Sequence, residues 1–224
     1  MSQELWSSVD EFICSLLAPE DAALEAALKA GTAAGLPPIS ITANQGKLLM
    51  ILAHSIRARR ILEIGTLGGY STIWLARAVG PAGRVVTMEI QPGHAEVARQ
   101  NVARAGCDSI VEIQVGPALD LLPGLATHDP EPFDMVFIDA DKAAAPDYFA
   151  WALRHTRPGG LIIVDNVVRE GNILDAESPD PSIVGIRRLY EIMAGERRAV
   201  STAIQTVGSK GLDGFSISLV TAPA

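Results

Sequence analysis

The chain has 224 residues, 48% of them hydrophobic and 20% charged, enough for one soluble domain with a substantial interior and too apolar for disorder. A net charge of −8, with no basic stripe interleaved with aromatics, argues against a nucleic-acid partner, because phosphate binding needs clustered Lys and Arg. Two cysteines, Cys14 and Cys107, form no CxxC pair, and they read as reduced thiols of a cytosolic protein.

The N-terminal MSQELWSSVDEF carries early acids and lacks the basic start and apolar core of a signal peptide. No apolar run approaches the roughly 20 residues of a membrane helix, so the expectation is a cytoplasmic protein without membrane contact. Helical spacing is predicted over 4–17 and 19–34, the second opening on Pro19-Glu20-Asp21, where proline and acids are favoured. GLPPIS should be extended, since Pro37 and Pro38 restrict the residues before them. NQGKLLMILAHSIRAR then repeats Leu48, Leu49, Leu52 and Ile56 at helical spacing.

From Arg60 the rhythm changes. RRILEIG, GRVVTMEI, SIVEIQVG, FDMVFIDA and GGLIIVDN are short runs rich in Ile and Val, separated by segments of helical length such as STIWLARAV, HAEVARQNVARAG and APDYFAWALRHT. Strands alternating with helices predict parallel βαβ units, and continuous apolar runs suit strands covered on both faces. After the loop NVVREGNILDAESPDPS and a helix near 182–194, AVSTAIQTV and GFSISLVT follow with only the turn-rich GSKGLDG between them. That predicts a closing antiparallel hairpin. The expected architecture is α/β: a Rossmann-like, doubly wound and mostly parallel sheet, organised as a single domain over 1–224 with a helical cap (1–58) and an α/β core (59–224).

In open α/β sheets ligands bind beyond the carboxyl ends of the strands. After the first strand comes EIGTLGGYS, where Gly65 permits a tight turn, and the second strand ends on Glu89, a carboxylate suited to two ribose hydroxyls. A dinucleotide site would want G-x-G-x-x-G, yet the second and third glycine positions hold Leu67 and Tyr70. Glu63 would repel a pyrophosphate but suits a ligand bearing an ammonium and a sulfonium, as S-adenosylmethionine does. A nicotinamide-dependent oxidoreductase and a non-catalytic cofactor-binding module remain as alternatives on the same fold.

FIDADK and IIVDN end two further strands with Asp139, Lys142, Asp165 and Asn166. Three oxygen donors with no sulfur or imidazole suit a hard divalent cation: Mg²⁺ first, with Mn²⁺ or Ca²⁺ as alternatives. Lysine is a poor base at neutral pH until a nearby cation or desolvation helps it, so Lys142 beside such a metal is a candidate base. Each group alone has a plainer reading: Asp139 as a helix cap, Lys142 in a surface salt bridge with Asp141, Asp165-Asn166 as a turn. Their coincidence at matching strand ends favours chemistry. His54, His94, His128 and His155 show no ligand spacing, and Ser71 has no Ser-His-Asp companions.

Taken in order, EIGTLGGYSTIWLA, VTMEI, GPAL, FIDADK and IIVDNVV resemble the cation-dependent class I O-methyltransferases of the catechol and caffeoyl-CoA type, from about Ile39 onward. Gly116-Pro117-Ala118 matches the wording of one branch, the caffeoyl-CoA-like and bacterial group. The resemblance implies a seven-stranded sheet, a homodimer and an aromatic substrate with adjacent hydroxyls. It assigns the metal to Asp139, Asp165 and Asn166 and the base to Lys142. It assigns the cofactor to Glu63, Gly65, Ser71, Glu89, Ala118 and Asp139, with the backbone near Thr42 covering the methionine end.

Overall fold

A computed structural model describes residues 2–223 of the chain. Its seven strands form one mixed sheet in the order β3-β2-β1-β4-β5-β7-β6. The chain divides into two compact units, Phe12–Pro130 and Met1–Glu11 with Glu131–Ala224.

The helix α1 (Gln3–Leu17) opens the chain. Within Phe12–Pro130 follow α2 (Ala22–Ala33), α3 (Ala43–Ser55), β1 (Arg60–Ile64), α4 (Tyr70–Val79), β2 (Arg84–Glu89), α5 (Pro92–Arg104), β3 (Val111–Val115) and α6 (Ala118–His128). Helix α2 starts later than its spacing predicts because Asp21 is its cap: the carboxylate accepts a hydrogen bond from Leu24 N at 3.1 Å. The parallel strands β1, β2 and β3 pair in register, Ile64 opposite Met88 and Glu89 opposite Val115. Strands β1 and β2 are buried almost throughout, as continuous apolar runs predict, whereas β3 is half-exposed because it lies at the sheet edge. Helix α6 escapes the periodicity reading because Pro123 falls inside it, where it removes one intrahelical hydrogen bond. At the amino ends of β1 and β2, Arg60 and Arg84 share Asp129 at 2.5 and 2.6 Å.

The second unit holds β4 (Phe133–Ile138), α7 (Ala145–His155), β5 (Thr156–Asp165), α8 (Pro181–Gly195), β6 (Ala199–Gly208) and β7 (Gly211–Val220). Strands β4 and β5 are parallel, and β7 runs antiparallel to both β5 and β6. The hairpin is tighter than expected: Gly208 pairs with Gly211, so only Ser209 and Lys210 turn, and Leu212-Asp213-Gly214 belongs to the strand. Strand β6 ends the sheet and is largely exposed. Phe137 and Phe149 are fully buried, each contributing roughly 1.5–3 kcal/mol of hydrophobic stabilisation. Among the described residues both cysteines are free, and burial pushes the Cys107 thiol up. No helix among the described residues is long and apolar enough to cross a membrane.

Candidate active site

In the unit Phe12–Pro130, the carboxyl ends of β1 and β2 gather most of the expected cofactor residues. Glu63, near the end of β1, is 0% exposed. Burying a carboxylate is costly unless donors surround it, and here two hydroxyls do: Thr72 and Thr87 donate to Oε2 at 2.5 and 2.6 Å. The single proton of Thr87 is spent on Glu63, so in the 2.6 Å Thr66–Thr87 contact Thr66 is the donor. Glu63 therefore anchors a hydroxyl chain joining β1, β2, α4 and the turn after β1.

That turn is strained in a controlled way. Gly65 has φ 106° and donates to Met88 O at 3.0 Å, while Leu67 holds a left-handed φ of 49°. Leu67 is kept there by Glu89, whose Oε2 accepts its N–H at 2.8 Å and whose Oε1 accepts Gln91 N–H at 2.9 Å. Glu89 is buried, but a carboxylate offers about four acceptor positions, so two backbone donors leave capacity for ligand hydroxyls. Gly69, φ 81°, heads α4, and a Cβ there would lie 3.3 Å from Ala98 Cα. Ser71, the second residue of α4, is buried beside Thr72. Gly116 N–H donates to Glu89 O at 2.9 Å, which brings Ala118, the first residue of α6, to the same strand ends. Thr42 precedes α3, and its hydroxyl bonds to Asn44 at 2.5 Å rather than to any of these groups.

Asp139, Lys142, Asp165 and Asn166 lie in the other unit. Strands β4 and β5 end in step, Ile138 opposite Val164, so Asp139 and Asp165 follow at neighbouring tips. Lys142 is only 9% exposed, and its ammonium donates to Asp139 Oδ1 at 2.8 Å. A surface pair with Asp141 is thereby excluded. Asp141 instead accepts Ala144 N–H at 3.1 Å and the Tyr148 hydroxyl at 2.7 Å. Burial and the Asp141 charge push Tyr148 well above the usual phenol range, so it stays a neutral donor. Asp165 Oδ1 accepts Asn166 N–H at 2.9 Å, and Asn166 itself holds a left-handed φ of 57°. Among the described residues no three or more His, Cys, Asp or Glu side chains form a metal cluster. Two carboxylates and an amide oxygen are the donors available here, a hard-oxygen set that fits Mg²⁺ with waters or substrate filling its remaining positions.

Three residues near these tips go unnoticed in the sequence. Gly185 of α8 lies against the backbone of Lys142 and Ala143. Asp213 of β7 binds the chain just after Asn166, accepting Val168 and Arg169 N–H at 3.0 Å each. Lys210, at the hairpin turn, is exposed as a residue, yet loss of hydration lowers its ammonium pKa against the opposing pull of Asp139 and Asp165. GSKGLDG, which holds Lys210 and Asp213, signals a turn and nothing more, and Gly185 reads as an ordinary helix residue, because the partners of all three lie far away in the chain.

Comparison with known proteins supplies the deciding observation. The profile of a family described as O-methyltransferase matches residues 15–215. The chain belongs to the O-methyltransferase family. Among its O-methyltransferase relatives is the catechol O-methyltransferase of Mycobacterium tuberculosis, 58% identical over 212 residues, covering 95% of this chain and 94% of that one. The crystal structure of the Bacillus cereus O-methyltransferase in complex with SAH is 51% identical, with a TM-score of 0.96 over 98% of this chain and 100% of that one. TomG of Streptomyces achromogenes, an O-methyltransferase involved in tomaymycin synthesis and crystallised with SAM, matches equally well: 51% identity and TM-score 0.96 over 99% and 100%. The mostly parallel α/β sheet with a closing antiparallel hairpin expected from the βαβ rhythm, and the seven strands implied by the family resemblance, are those observed.

Proposed function

We propose that this O-methyltransferase moves a methyl group from S-adenosylmethionine to one hydroxyl of a vicinal diphenol. The observation that carries the reading is the buried Lys142 ammonium, 2.8 Å from Asp139, at a strand tip in register with that of Asp165. The names of the M. tuberculosis relative (catechol) and of the SAM- and SAH-bound structures support the acceptor class and the methyl donor.

In this reading Asp139, Asp165 and Asn166 hold a divalent cation, Mg²⁺ first and Mn²⁺ or Ca²⁺ as alternatives. Such an ion supplies Lewis-acid acidification of a hydroxyl. Lys142, in its neutral form, takes the hydroxyl proton on Nζ, and Asp139 then stabilises the ammonium so formed. Glu89 accepts hydrogen bonds from the ribose hydroxyls. Glu63, Gly65, Ser71 and Ala118 line the rest of the donor's position, with the Thr42 backbone beside its methionine end. S-adenosylmethionine supplies an electrophilic methyl, and its transfer to the deprotonated oxygen leaves a methyl ether and S-adenosylhomocysteine. Orientation of two bound reactants and preorganised charge then provide most of the acceleration. The two compact units work as one domain over residues 1–224 in a cytoplasmic enzyme.

The test is a panel of vicinal diphenols incubated with labelled S-adenosylmethionine and Mg²⁺. The expected product is a monomethyl ether, lost in excess chelator and restored by Mg²⁺. Full activity in chelator would remove the metal; no product from any diphenol with Mg²⁺, Mn²⁺ or Ca²⁺ would remove the acceptor class.

The enzyme is also proposed to be a homodimer. Helix α1 buries none of its residues, and Leu5, Val9, Phe12 and Leu16 form an exposed apolar stripe at helical spacing, which a second copy would cover. Light scattering should give twice the chain mass; a monomer at micromolar concentration would contradict this.

A further inference from the structure

Three consecutive residues of β7 govern the path of the chain through the proposed metal donors. Phe215 pairs with Asp165, Gly214 O accepts Val167 N–H at 3.0 Å, and Asp213 Oδ1 accepts Val168 N–H and Arg169 N–H at 3.0 Å each. The same oxygen accepts Gly214 N–H at 2.9 Å, which ties the carboxylate to its own strand. One anionic acceptor thus gathers three backbone donors from two segments about 45 residues apart in sequence. Charge-assisted bonds of this kind are the strong ones.

The chain held this way is unusual. Asn166, Arg169 and Glu170 are non-glycine residues with φ of 57°, 54° and 58°. Such backbone persists only where surrounding contacts over-determine it. Tyr190 adds a further restraint by donating its hydroxyl to Val167 O at 3.1 Å, and burial first, with the Asp213 charge second, raises the pKa of that phenol. Without the Asp213 carboxylate, Val168 and Arg169 N–H would lose their acceptor, and residues 166–170 would relax toward ordinary φ values.

We infer that Asp213 is a positioning residue that presents Asn166, and through β7 pairing Asp165, to the divalent cation. This rests on the metal reading given above and adds to it the device that sets the donors. Asp213 touches no reacting atom; its effect passes through the backbone of the Asn166 loop. Partners that orient metal donors change metal affinity by roughly 10–100-fold when removed.

The test uses the full chain without substrate and reads Mn²⁺ binding from the free-ion signal in electron paramagnetic resonance. Asp213→Ala should weaken Mn²⁺ binding roughly 10–100-fold. S-adenosylhomocysteine affinity, measured by calorimetry, should stay within about twofold, since its proposed contacts lie mainly in the other unit. Asp213→Asn keeps the shape and one acceptor oxygen and should give an intermediate loss, together with faster hydrogen exchange at the Val168 and Arg169 amides. Native Mn²⁺ affinity in a folded Asp213→Ala protein overturns the inference. If that variant does not fold, native affinity and unchanged exchange in Asp213→Asn overturn it. A wild-type chain that binds no Mn²⁺ removes the metal centre itself and this role with it, so the two failures are distinguishable.

Discussion

Lys142→Ala is expected to lower turnover of a vicinal diphenol by roughly 10²–10⁴-fold, the range a positioned general base supplies. The fold should survive: among the described residues the Lys142 side chain makes one hydrogen bond, to Asp139 Oδ1 at 2.8 Å, beyond the end of a strand whose register is set by pairing with β5. Affinity for S-adenosylhomocysteine should hardly change, so the loss should fall on kcat. Lys142→Arg separates proton transfer from charge. A guanidinium keeps the positive charge beside Asp139 but cannot be deprotonated in a protein, so it should be nearly as inactive as alanine. If either variant turns over at the wild-type rate, Lys142 is not the base.

Gly185→Ala should be almost as damaging, although Gly185 touches no reactant. In an ordinary helix this change is stabilising by about 0.5–1 kcal/mol, because glycine loses more backbone freedom on folding. Here the new Cβ would overlap the Lys142 carbonyl oxygen and lie 2.8 and 2.9 Å from Ala143 Cα and O. All three neighbours are backbone, so no flexible side-chain end can move aside. Overpacking of this type costs about 1–3 kcal/mol, which exceeds the propensity gain. Either α8 or the 142–143 segment must shift, and a displacement of about 1 Å at a catalytic group can cost on the order of 10²-fold in rate. Thermal unfolding and kcat together check this. A variant with raised Tm and native kcat would show that α8 does not set the position of Lys142.

These two residues mark where the sequence was legible and where it was not. FDMVFIDADK announces a buried strand ending in charge, because only a strand covered on both faces needs four consecutive apolar residues before an acid. The βαβ rhythm and the failed dinucleotide pattern were readable for the same reason, each being a local pattern with one cheap explanation, and the neighbouring tips of β4 and β5 follow from the parallel topology that the rhythm implies. The partner of Lys142 was not. Spacing offers Asp139 and Asp141 alike, and the choice of Asp139 depends on Tyr148 and the Ala144 amide engaging Asp141. Gly185 reads as a mildly unfavourable helix residue until α8 is set against residues 142–143. Asp213 looks like turn punctuation, because its ligands lie 45 and 44 positions upstream. Local periodicity reports what a segment buries; it carries no record of which distant backbone a single side chain will grip.

The hairpin turn that carries Lys210 is itself moored by the first helix. Gln3 Nε2 donates to the carbonyls of Gly208 and Ser209 at 2.8 and 3.1 Å, and Asp10 Oδ2 accepts Ser209 N–H at 2.7 Å. Chimeras that trade leader helices between relatives would therefore retune Lys210 from the opposite end of the polypeptide, and a fusion partner joined ahead of Gln3 is best attached through a long, compliant spacer.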